Sequence, residues 1–498
     1  MKTSEFIREL STVPSRRHSS VHLDDVTYDQ RIQGLVAYLK QPGVVSDTVD
    51  LIDYLEALSP SVHSLSFLFL LHFQIQHRQR RERRDIPEDL QPGGKLWKHA
   101  SRFLRSFDPI QIRYVGHEWR QLVELVASAA QATSKPIVAV KVIKDALERL
   151  GPSGVFTSLH LTLVRLSLLS STYSYVLPIV NKLPHRFPAG TEHINHETLL
   201  CSEHVSDAVF ITDASGFSSK LNYRDHLQFF LYSAMIYMAL KKWDQAVHCL
   251  NAVITSSTAN SVSKIMVDAY KKWILATLLG HGRVPPASKM IAPHVTRVYQ
   301  ALARPYISLA EAFERGDAQK MSAEIDLGQP IWQADNNTGL VSQLRAAYDE
   351  FMIIKLGRTF SALTTADVLQ RTSPCFISHS NLEDYIASLV LSDRLKATLS
   401  DSPGSESTTL LRFSSSTQSD AHREEYIRTR LVQGMSGLDT IAQGIAQTDH
   451  TLEVSIENIH SVAKSHRWNG NSDKSAAVGS VEAGTAGDVD EDLMGDTS

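Results

Sequence analysis

Apolar residues recur at helical spacing from about residue 46 to residue 325, in short segments divided by caps and breakers, and strict alternation is scarce. An amphipathic helix of this kind cannot bury its stripe alone, so a run of them must pair and stack. The pattern is sharpest over 231–258, where Ala234, Tyr237, Ala246 and Leu250 fall at the spacing of a tetratricopeptide repeat. The small residues let two antiparallel helices approach, and Tyr237 and Leu250 fill the gap between them. The repeat is degenerate, since Thr258 stands at the closing proline position. A partner helix is predicted over 263–279.

Smaller signals place the other elements. Ser46 is the expected N-cap of a helix burying Val49, Ile52 and Leu55, and Pro60 precedes an apolar helix through Leu65, Leu68 and Leu71. Residues 77–94 carry Arg78, Arg80, Arg81, Arg83 and Arg84, then Pro87, Pro92, Gly93 and Gly94, and read as an exposed basic loop outside any core. Helices are predicted over 119–130 and 136–150, the second opening at Pro136 and closing at Gly151 and Pro152. Residues 187–221, rich in His, Ser and Asp, read as a second polar break.

After Asp335 the pattern changes. Leu340, Leu344 and Tyr348 mark one helix, Thr364 with Asp367 caps a second, and Ser380 with Glu383 caps a third whose face is Leu382, Tyr385, Ile386, Leu389 and Val390. Two alternating runs follow about a Pro403-Gly404 turn: Leu395, Ala397 and Leu399, then Thr409, Leu411 and Phe413. Three helices and a two-stranded wing make a winged helix. Its outer strand, carrying Thr409, Leu411 and Phe413, reads as an edge that a neighbour's sheet can join.

Leu431, Leu438, Ile445, Leu452 and Ile459 then recur in a heptad, broadened by Ile427, Met435, Ile456 and Ala463. A helix over 424–464 would be about 60 Å long, more than the preceding domain can cover, so the stripe requires partner helices. Residues 469–498 are Gly, Ser, Ala and seven carboxylates against Lys474, the composition of a disordered tail. The expected organisation is a mainly α chain. It has an N-terminal segment (1–45), a TPR-like helical-repeat solenoid (46–334) with loops near 77–95 and 187–221, a winged-helix part (335–415), a C-terminal bundle helix (424–464) and the acidic tail.

At 498 residues the chain has room for about three structural units. A formal charge of −4 calls for neither nucleic acid nor an anionic membrane. Cys201, Cys249 and Cys375 form no disulfide framework or zinc spacing. The opening MKTSEFIREL shows no secretory pattern, and the expected compartment is the reducing cytosol or nucleus. The apolar run 65–73 is about half of what a bilayer requires. There is no GxxxxGK[ST], GxGxxG after a strand, or GxSxG. His117-Glu118-Trp119-Arg120-Gln121 begins like a zincin motif but has Gln121 at the second ligand, and His193, His196 and Glu197 have the wrong order for the inverted version. No catalytic, metal or cofactor site is expected. Between Asp335 and Phe413 seven Lys or Arg face nine Asp or Glu, a poor surface for phosphate.

A helical array, a winged helix and a long terminal helix together resemble the PCI-domain proteins of the proteasome lid, a translation initiation factor and the COP nine signalosome. Local blocks favour the signalosome's subunit-three family. They are His63-Ser64-Leu65, Phe156-Thr157-Ser158-Leu159-His160, Met235-Ile236-Tyr237, Ile265-Met266, Asp268-Ala269-Tyr270-Lys271-Lys272 and Asp335-Asn336-Asn337-Thr338-Gly339-Leu340-Val341. The resemblance implies a noncatalytic scaffold in a complex that removes the ubiquitin-like protein Nedd from cullin-RING ubiquitin ligases, in nucleus and cytoplasm. It further implies a ring of winged helices, with subunits one and eight as neighbours, and a helical bundle shared by all subunits. A proteasome-lid scaffold and an RNA-binding initiation-factor subunit, reading RNA through Arg80, Arg81, Arg83 and Arg84, are the alternatives.

Overall fold

The computed structural model describes residues 13–15, 24–41, 52–151, 154–182, 187–188, 199–202, 210–256, 262–286, 288, 290–372, 382–392, 394–401 and 409–413. It also describes residues 424–425, 427–429, 431–432, 434–436, 438–439, 442 and 445–446. The chain divides into two units, Met1–Ser415 and Ser416–Ser498.

Among the described residues the first unit opens with α1 (Asp25–Leu39), a helix the sequence reading leaves inside an undivided N-terminal segment. Its stripe of Tyr28, Ile32, Leu35 and Leu39 is buried, and the Ser15 N–H donates to the Val62 carbonyl at 2.8 Å. Helix α2 (Ile52–Ala57) buries Leu55, while Ser46 and Val49 lie outside the described residues. Helix α3 (Ser64–Glu82) corrects the expected basic loop, because Arg78, Arg80 and Arg81 continue it. Arginine is a good helix former, so the helix begun by the buried run through Ile75 continues past its last apolar residue. The helix ends where Arg83 turns left-handed, at φ 53°. Pro87 and Gly93 follow, and Arg78 and Arg84 reach Asp89 (3.6 Å) and Glu88 (2.8 Å).

Next come α4 (Lys95–Ser106), α5 (Pro109–Ile112), α6 (Gly116–Ala132), α7 (Pro136–Leu150), α8 (Ser158–Leu169) and α9 (Tyr173–Val180). Helix α7 starts with proline in its first turn and stops at Gly151, whose φ of 142° a side chain would resist. Thr157 and His160 form a reciprocal cap on α8, and burial pushes His160 down to about 4, so its ring is neutral there. The second polar break is only partly a loop. Its described residues include buried Phe210, Ile211 and Phe217, and Phe217 meets Trp119 edge-on at 5.7 Å. A Cβ on Gly116 would lie 2.4 Å from the Ser215 carbonyl, so glycine there admits this close approach.

The repeat pair is α10 (Tyr223–Ala239) and α11 (Trp243–Ile254), and Ala234, Tyr237, Ala246 and Leu250 are all buried between neighbours. Ser263 caps α12 (Lys264–His281) by accepting from the Met266 N–H. The array continues through α13 (Pro293–Leu302), α14 (Arg304–Arg315), α15 (Ala318–Leu327) and α16 (Gln329–Ala334) to α17 (Thr338–Gly357). Among the described residues one apolar cluster runs from Val13 to Tyr348. No helix of the described residues is long and apolar enough to cross a membrane.

The last part of the first unit runs α17, β1 (Ala362–Thr364), α18 (Thr365–Thr372), α19 (Leu382–Leu391), β2 (Ala397–Asp401) and β3 (Thr409–Phe413). The sheet order is β1-β3-β2, with β3 antiparallel to both neighbours. This is winged-helix topology on the end of a mainly α, helical-repeat chain. The sheet corrects the wing expectation: Thr409, Leu411 and Phe413 lie on the central strand, not on an edge. Strand β1 occupies the second side of β3, pairing Leu363 with Leu411, and at three residues it is too short for alternation to reveal.

Candidate assembly surface

Helix α17 joins the two cores of the first unit. Val341, Leu344 and Tyr348 belong to the array's cluster, whereas Ile353 belongs to a second cluster with Leu363, Val368, Leu382, Ile386, Leu389, Leu395, Ala397 and Leu411. Twenty residues make it about 30 Å long. The winged helix is therefore oriented by a helix anchored in the array.

A polar joint fixes the start of that helix. Lys271 donates to both carboxylate oxygens of Asp335, at 2.9 and 2.8 Å, and the Tyr306 hydroxyl donates to Asp335 at 2.9 Å. Lys272 reaches Asn337 Oδ1 at 2.8 Å, and Asn337 Nδ2 donates back to the Tyr306 hydroxyl at 2.8 Å. Burial alone would raise the Asp335 carboxyl, but the hydrogen bonds from Lys271 and Tyr306 outweigh it and hold the group below its ordinary value. Burial lowers the Lys272 ammonium, with Asp268 and Asp335 opposing. Two of the sequence blocks that carry the family resemblance thus meet here. The available signal was Lys272, a cation inside a helix that is apolar on nearly every side.

Other blocks also act as joints. Gln111 Oε1 accepts from the Ser64 N–H at 2.8 Å, and Ser64 Oγ accepts from the Asp108 N–H at 2.7 Å. Ser158 exchanges hydrogen bonds with residues 218 and 219 at 3.0 and 3.1 Å, and the Tyr237 hydroxyl donates to Asn181 at 2.8 Å. The zincin-like start is absorbed in local contacts: His117 lies 2.9 Å from Gln121, and Glu118 pairs with Lys40 at 2.9 Å. Among the described residues no group of three His, Cys, Asp or Glu could hold a metal. His193, His196 and Glu197 lie outside them.

On the sheet, Leu411 is fully buried, and Phe413 packs so close to α17 that a Cβ on Gly357 would lie 2.7 Å from its ring. Thr409 donates to Glu383 at 2.8 Å, as Thr365 does at 3.0 Å, so these side chains close the module internally. Among the described strands β1 and β2 are the outer ones, and β2, at five residues against three, offers the longer edge.

In the second unit the described residues between 424 and 446 are helical. Ile427, Leu431, Met435, Leu438 and Ile445 are each 46 to 67% exposed. Leu431, Leu438 and Ile445 keep heptad spacing, while Leu452 and Ile459 lie outside the described residues. A helix offering that many large apolar side chains to water is suited to burial against another helix.

A repeat array that carries a winged helix on its own last long helix, followed in sequence by an apolar stripe, defines a helical-repeat, winged-helix protein. The family model for the N-terminal helical repeats of COP9 signalosome complex subunit 3 matches residues 30–295. A protein named COP9 signalosome complex subunit 3 in Emericella nidulans is 59% identical over 493 residues, 99% of each chain. Proteins of the same name in Neurospora crassa and Dictyostelium discoideum are 24% identical over 456 residues (89% of each chain) and 26% identical over 309 (61% of this chain, 66% of the relative). The chain belongs to the COP9 signalosome subunit 3 family.

Proposed function

We propose that the chain is a noncatalytic scaffold of the signalosome. Its winged helix joins a ring of PCI neighbours, subunits one and eight, through the open edge of β2, and its C-terminal helix enters a bundle with the other subunits. The complex removes Nedd from cullin-RING ligases in nucleus and cytoplasm, and this chain contributes positioning and no reacting group. The exposed stripe of Ile427, Leu431, Met435, Leu438 and Ile445 carries the reading, because a large unpartnered apolar face is unfavourable in water and favours burial in a complex. The test is truncation before Glu424 in cells, followed by purification of the tagged chain. Loss of the co-purifying subunits, with the array still folded by circular dichroism, is expected. Full assembly of the truncated chain would overturn the bundle role.

A further inference from the structure

The segment 77–106 carries nine Lys or Arg against four Asp or Glu in a chain whose total is −4, so positive charge is concentrated at one place in the array. Part of it lines an open groove between α4 and α7, formed by Trp97, Lys98, Ser101, Arg102, Arg105 and Val138. Lys98, Arg102 and Arg105 stand at i, i+4 and i+7, on one side of α4. All three are exposed, and among the described residues Lys98 and Arg102 are in no ion pair, while Arg105 meets Asp145 at a long 3.4 Å. Ser101 Oγ is buried in the same groove and has no hydrogen-bond partner. Val138 and the edge of Trp97 supply an apolar floor.

We propose that this groove docks an extended acidic segment of another polypeptide. The cations rise along α4 by about 6 and about 4.5 Å. A strand with acids at alternate positions presents carboxylates about 7 Å apart on one side, and the long, flexible Lys and Arg side chains can take up the difference in spacing. Side chains on that strand's other residues can rest on Val138. A nucleic-acid strand fits less well. Trp97 is 5% exposed and offers no face for a base to stack on.

The test is fluorescence anisotropy of the full chain with a labelled peptide of alternating Asp and Leu, beside a uridine oligonucleotide of equal charge. Saturable peptide binding that weakens with salt is expected. Lys98→Glu with Arg102→Glu should weaken it about tenfold or more, and Arg315→Glu on the exposed end of α14 should leave it unchanged. The doubly reversed chain should instead bind a peptide of alternating Lys and Leu. No peptide binding at low salt, or equal binding by the doubly reversed chain, would overturn the proposal. Tighter oligonucleotide binding through the same two residues would also overturn it and make the groove a nucleic-acid site.

Discussion

Trp119, Trp332, Tyr299, Tyr306, Phe103 and Phe107 fill the array's core, whereas the buried residues of the winged-helix core among the described residues, Ile353, Leu363, Val368, Leu382, Ile386, Leu389, Leu395, Ala397 and Leu411, are all aliphatic, and its rings, Phe360, Tyr385 and Phe413, are only partly buried. A buried ring removes about 150–250 Å² from water, well above what a valine or alanine does. The array can therefore stand on its own core, while the module is too small to do so and draws its order from α17. The rings also interlock in chains: Phe67 stacks on Phe103 at 5.6 Å, Phe103 meets Phe107 at 5.8 Å, and Phe107 meets Trp119 at 5.9 Å.

The sharpest way to break this contrast is at the end of that chain. Trp119→Ala removes a fully buried ring that touches both Phe107 and Phe217, and should destabilise the chain by about 3–5 kcal/mol. Urea unfolding measures the loss, and amide exchange locates it. Exchange in α18 and α19 should rise together with exchange in the array. A winged helix that stays protected while the array opens would show that its aliphatic core suffices, and the dependence argued above would be wrong.

Lys271→Ala sharpens the contrast at the connection. It leaves Asp335 without its ammonium partner in a site where the two side chains are only 14% and 17% exposed, and should lower stability by about 2–3 kcal/mol. The exchange increase should begin at the start of α17. Asp335→Asn in the same chain should add much less than it does alone, since both changes remove one interaction. Additive losses would mean that the two residues act separately, against the joint described here.

The sequence made the repeat register legible because each helix announces itself: Pro136 and Gly151 bound α7, and Ala234, Tyr237, Ala246 and Leu250 are where a stacked pair needs them. Among the features that escaped, three did so for different physical reasons. Arginines 78, 80 and 81 look like loop when judged by polarity, yet arginine is a good helix former and continues a helix that the buried run through Ile75 has started. Strand β1 spans too few residues to show a period, so β3 was misread as an edge. The Lys271–Asp335 joint connects residues 64 apart, and spacing within a helix cannot signal a partner at that distance. The heptad of the second unit was plain, because an exposed apolar repeat needs no tertiary knowledge to be seen.

The smallest effect concerns the point on α17 where one core hands over to the other. Asp349 and Glu350 are buried between Tyr348 of the array's cluster and Ile353 of the winged helix, with Asp349 Oδ1 unpartnered. Burial raises Glu350, opposed by Arg394 at 2.7 Å and by Lys241. Burial pushes the Asp349 carboxyl up to about 6 from an ordinary 3.8. The folded chain thus holds this proton more tightly than the unfolded chain does. Its contribution to stability is complete below about pH 4 and is lost as pH rises through 6. Asp349→Asn removes the buried charge. The variant should be about 1–2 kcal/mol more stable than the parent at pH 7.5 and equal to it near pH 4. Glu350 would keep a shallower slope of the same sign in the variant. Thermal unfolding at the two pH values decides. A variant no more stable at pH 7.5 would mean that the Asp349 carboxylate is as well satisfied folded as unfolded, and the hand-over would then carry no buried-charge penalty separating the two cores.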